Sequence, residues 1–174
     1  MNEEDISQSF LEQGAQLLGQ MAHGQTLGPM MGVSVPAQEA LYALAYTAYT
    51  QARYAEAMQA FSFLMTADHF DRRYFSGYAA CLRAQKRHGE ALKHYGVASM
   101  LDLTDPEPVM RMAECHLALG ERVQARTALD YALVQARAHE AHRSYAPRLE
   151  AMLAFLDNDA ATNTSTTDAA TAAP

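Results

Sequence analysis

The sequence predicts an all-α protein, a solenoid of three helical hairpins with a helix before it and a capping helix after it. Three observations predict it. RYAEAMQAF at 53–61 returns as RHGEALKHY at 87–95, 34 positions on. Alanine recurs at the same step at 45, 79 and 113 and again at 57, 91 and 125, and the two cysteines keep it at 81 and 115. Large residues accompany both columns, Phe61, Tyr95 and Leu129 after the second and Leu44, Tyr78 and Met112 before the first. Small residues on both helices of a hairpin let the backbones approach, and the large neighbour fills the space beside them.

A 34-residue period with this small-and-large pattern is that of the tetratricopeptide repeat. Three units fall at 38–71, 72–105 and 106–139, together with their lead-in the domain 34–139. The turns inside the units, Gln51-Ala52-Arg53, Gln85-Lys86-Arg87 and Leu119-Gly120-Glu121, are short enough for tight hairpins, and Gly120 suits a helix C-terminus. Helix starts are written in Ser34-Val35-Pro36 and Asp105-Pro106-Glu107, a capping side chain and a proline tolerated in the first turn. The pattern departs from the usual repeat at Leu41, Phe75 and Val109, where Trp is common, and at His69 and Leu103, where Pro closes the unit. Leu41, Leu44, Ala45 and Ala48 are expected to pack the first helix.

Before the units, 6–21 places Phe10, Leu11, Leu17, Leu18 and Met21 at helical spacing. That is more apolar surface than a lone helix exposes, so 1–33, which ends in a Gly- and Met-rich segment, is expected to form a homodimer through those five side chains. After the units, Leu149, Met152, Leu153, Phe155 and Leu156 predict a C-terminal helix within 140–156. The Ala- and Thr-rich stretch 157–174 has no large apolar residue and predicts a disordered tail.

With 174 residues, 49% hydrophobic and 19% charged, the chain suits one domain with a continuous core. A formal net charge of −7, with 13 Lys and Arg, argues against nucleic acid, whose binding draws on clustered cations. The opening MNEEDISQSF is acidic where a secretory signal is basic, and no apolar run is long enough for membrane insertion, so the cytoplasm is expected. Cys81 and Cys115 read as small buried residues. His139 and His142 stand at i, i+3 without further converging ligands, and His116 points away from Cys115 on a helix, so neither a metal nor a cofactor is expected. No nucleophile elbow, phosphate-cradling loop or zinc-protease pattern is present, and no catalytic residue is assigned: the chain does not read as an enzyme.

What remains is a binding surface. In such solenoids the first helix of each unit faces the concave side. Its inward positions are Glu39, Tyr42, Tyr46, Tyr49 and Thr50 in the first unit, and Arg73, Ser76, Ala80, Arg83 and Ala84 in the second. The third contributes Glu107, Met110, Glu114, Leu117 and Ala118. The groove expected for a client peptide is therefore Tyr42, Tyr46, Tyr49, Ser76, Ala80, Arg83, Met110, Glu114 and Leu117, an uncharged trough at its tyrosine wall. Rings there offer apolar area and a hydroxyl for a peptide backbone, with room left by Ser76 and Ala80. A repeat adaptor clamping the acidic tail of a heat-shock chaperone would want Lys and Asn where Tyr42 and Tyr46 stand. An adaptor or transcriptional co-regulator that binds some other protein is the alternative reading.

ALYALAYTAYTQARYAEAMQAF, ADHFDRRYFSGYAACLRAQ and DPEPVMRMAECHLALGERVQA, with GQTLGPMM before them, resemble the class II chaperones of type III secretion systems. The resemblance runs from about 24 to about 133. It implies a bacterial, cytoplasmic, non-enzymatic chaperone for hydrophobic translocator proteins, binding an extended Pro- and Leu-containing segment where Tyr42, Tyr46 and Tyr49 stand. It also implies dimerisation through the N-terminal region and, in some members, a transcriptional activator as a further partner. The chain departs from the family in its Ala/Thr-rich tail and at Arg83.

Overall fold

The computed structural model describes residues 26–170 together with Gln8, Leu11, Glu12, Gly14, Ala15 and Gly19, and among them all regular structure is helical. Three antiparallel pairs follow one another. Helices α1 (Val35–Thr50) and α2 (Tyr54–Ala67) form the first, α3 (Arg72–Ala84) and α4 (His88–Leu101) the second, and α5 (Glu107–Ala118) and α6 (Arg122–Ala138) the third. A 3₁₀ turn (Glu140–Tyr145) leads into α7 (Ala146–Ala170).

Local chemistry sets the helix ends. Ser34 Oγ accepts from the Ala37 N–H at 3.4 Å, Asp71 from Arg73 at 2.9 Å and Asp105 from Glu107 at 2.9 Å, each satisfying a donor that the first turn leaves free. Every hairpin closes the same way. Ala52, Lys86 and Gly120, again 34 apart, take the left-handed conformation at φ of 59°, 62° and 78°. Around them the Arg53, Arg87 and Glu121 N–H groups donate back to the carbonyls of Ala48, Leu82 and His116 at 2.8, 2.9 and 2.9 Å. This is the Schellman closure, which satisfies the last carbonyls of the first helix and reverses the chain in three residues.

The core runs through the stack in three linked clusters. Ala45, Ala57, Phe61, Leu64, Tyr74 and Cys81 make the first; Ala79, Leu82, Ala91, Tyr95 and Cys115 the second. The third joins Met110, Ala113, Ala125 and Leu129 to Leu149 and Leu156 of α7, which so caps the solenoid. The alanine columns are 0–1% exposed throughout, as close helix contact requires. Leu44 differs from its expected packing role and is 69% exposed. Tyr78 and Met112, its equivalents, pack against the unit before them, and the first unit has no earlier hairpin among the described residues to meet.

Two further expectations change or fall outside. The tail expected to be disordered continues α7 as far as Ala170. No proline interrupts before Pro174, and Asp157 pairs with Arg126 of α6 beyond the last core leucine, although the Asp, Asn, Ser and Thr that follow favour helix less than alanine does. Phe10, Leu17, Leu18 and Met21 lie outside the described residues, while Leu11 is 70% exposed.

Candidate functional site

The first helices of the three units line one cavity of about 520 Å³, floored by Phe61 and Tyr95 from the second helices. Tyr42, Tyr46 and Tyr49 form one wall, and Ser76, Ala80 and Arg83 the next. The rings differ in how they are held. Tyr42 is half-buried, edge-on to Phe61 at 5.9 Å and tilted against Tyr74 at 5.9 Å, and burial pushes its hydroxyl above the ordinary range, so it stays protonated as a donor. Tyr49 leans on Tyr54 at 5.9 Å, whereas Tyr46 touches Tyr49 at 6.3 Å and is itself 54% exposed. Gly77 gives Phe61 its place: a Cβ on Gly77 would lie 2.5 Å from two carbons of that ring.

The trough is not uncharged. Arg72, Arg73, Arg83, Arg111 and Glu107 line it as well. Arg73 lies over the Tyr42 ring at 5.0 Å, a cation–π contact, while Asp71 and Glu39 hold its guanidinium charged. At the other end Arg83 donates to Glu114 at 3.0 Å, beside Tyr95, whose hydroxyl burial raises to about 12.

Six of the nine residues expected in the groove therefore share the cavity: Tyr42, Tyr46, Tyr49, Ser76, Ala80 and Arg83. The three from the third unit do not line it. Met110 is fully buried in the cluster that joins the third unit to Leu149 and Leu156 of the C-terminal cap. Leu117 packs against that same cluster, and Glu114 acts from behind the wall by holding Arg83 and Arg111. Phe61, Arg72, Gly77, Tyr95, Pro108 and Arg111 were not expected. For two of them the signal was the repeat column 43, 77, 111, one position from the Tyr42 column, which extending the inward set would have included.

Among the described residues, no cluster of three metal-ligating side chains occurs and no helix is long and apolar enough to cross a membrane.

A three-hairpin solenoid with a groove along its first helices, walled by tyrosines in the first unit, defines a tetratricopeptide-repeat protein. Comparison with known proteins narrows it further. No protein-family model matches the chain. Low calcium response locus protein H of Yersinia pestis is 32% identical over 106 residues, 61% of this chain and 63% of that one, so the match spans less than two thirds of that relative. The crystal structure of a T3SS complex from Aeromonas hydrophila shares 30% identity at a TM-score of 0.78, covering 83% of this chain and 97% of that one. PcrH, a Pseudomonas aeruginosa protein, solved in complex with the chaperone binding region of PopD, shares 34% identity at a TM-score of 0.70, covering 74% of this chain and 96% of that one. The chain belongs to the class II chaperones of type III secretion systems.

Proposed function

We propose that this chain binds an extended, hydrophobic segment of a type III secretion translocator protein in its concave groove, keeping that protein soluble and unassembled in the bacterial cytoplasm before secretion. The observation that carries this is the open tyrosine wall: Tyr46 is 54% exposed in a cavity that Tyr42 and Tyr49 complete. The likeness to PcrH with its bound PopD region supports the same reading. Burying two or three Leu-sized anchors contributes about 4 to 8 kcal/mol, of which ordering an extended segment consumes a good part. Further contact along the groove is needed for micromolar affinity, about −8 kcal/mol. The role is non-catalytic.

Tyr46→Ala is the test. It removes an exposed ring that leaves the core untouched, so affinity for a translocator peptide should fall by about 1 to 3 kcal/mol, roughly 5- to 150-fold, in titration calorimetry. The thermal midpoint should stay within a degree or two. An unchanged affinity, or a variant that no longer folds, counts against the groove.

A further inference from the structure

The groove changes character along its length. The column that holds Tyr46 continues as Ala80 and then Glu114, and that of Tyr49 as Arg83 and then Leu117. Beside the tyrosines each lining arginine is matched by two carboxylates: Arg72 by Asp102 and Asp105 at 3.1 and 2.5 Å, Arg73 by Asp71 and Glu39 at 2.6 and 2.5 Å.

The far end is short of acid. Arg83, Arg111 and Arg148 converge on Glu114 at 3.0, 3.1 and 2.8 Å, and Arg111 reaches Glu107 at 3.2 Å, so three guanidinium groups share two carboxylates. Arg83 and Arg111 are only 30% and 24% exposed, and partly buried charge is screened little by salt water. Arg83 Nε–H is buried with no acceptor, a donor whose desolvation is not offset. In a chain of net charge −7 this local surplus of cation is not a general property of the surface.

We propose that this end of the groove is a carboxylate subsite. The extended segment carries an Asp or Glu side chain that lies against Arg83 and Arg111, while its apolar side chains lie against the tyrosines. This deepens the groove reading above and rests on it. A guanidinium pair recognises a carboxylate by charge and by the fork of its donors, so the subsite sets the register and direction of the bound segment as well as its affinity.

Titration of the full chain against terminally blocked peptides of about ten residues, rich in Leu and Pro and differing in one Glu-to-Gln exchange scanned along their length, tests this. At one position the Glu peptide should bind about tenfold tighter than its Gln partner, the effect of one charge-assisted hydrogen bond. The advantage should largely persist in about 0.5 M NaCl, since partly buried pairs are screened little. Arg83→Gln and Arg111→Gln should each bring the ratio of Glu- to Gln-peptide affinity at that position to about one, whatever they do to the affinity of both, and Arg83→Lys should keep part of the ratio. Thermal melts of each variant accompany the titrations, and either arginine variant suffices if the other fails to fold. Equal binding of Glu and Gln peptides at every position overturns the subsite and leaves the groove reading standing. Failure of every peptide to bind overturns both.

Discussion

Gly77 stands where no other residue fits without displacement. A side-chain carbon there would meet Phe61 at 2.5 Å, and Phe61 is 1% exposed with Tyr42 edge-on against it. The ring has to shift, and any shift reaches the groove wall through Tyr42. Gly77→Ala should therefore lower stability by about 1 to 3 kcal/mol in urea denaturation, the cost of overpacking. Phe61→Leu in the same chain should recover part of it by removing the ring that is struck. An unchanged urea midpoint for the single variant would show that the ring moves freely. The same contacts separate the tyrosines: Tyr46 serves only the surface, whereas Tyr42 also packs the first core cluster, so truncating Tyr42 would confuse folding with binding.

At the scale of the element, the hairpins owe their closeness to alanine. Ala91 on α4 is 0% exposed in the cluster with Ala79, Leu82 and Tyr95, leaving no volume for a larger side chain. Ala91→Leu should cost about 1 to 3 kcal/mol, read as a lower thermal midpoint, and a variant melting no lower than the parent would contradict the packing register. Helix positions were legible in the sequence because caps and turns are local: Ser34, Asp71 and Asp105 bond within three residues of themselves, and the left-handed turn recurs at 52, 86 and 120. The extension of α7 was not legible in the same way. Its composition lacks apolar periodicity and is poor in strong helix formers, and past Leu156 Asp157 pairs with Arg126, 31 residues away.

At the scale of the whole molecule, a stack of hairpins has two ends to cover. The far end is covered by α7 through Leu149 and Leu156. The near end shows Leu44 and Val35, each 69% exposed, and the chain before it carries Leu11, 70% exposed. We propose that 1–33 mediates self-association. Light scattering of a chain starting near Val33 should then give a smaller species than the full chain, and equal masses per chain would remove the idea.

The sequence by itself determined the period, the three hairpins and the tyrosine wall, because a repeat places the same residue type in the same environment every 34 positions and the signal adds over the columns. Tertiary structure alone decided which end of the groove stays open and how its charges pair. Met110 is buried in a cluster shared with a helix that is not part of any repeat, and Glu114 gathers arginines from 83, 111 and 148, contacts that no local pattern encodes. The physical reason is that columns report packing between like neighbours, whereas caps and long-range ion pairs depend on where the stack stops.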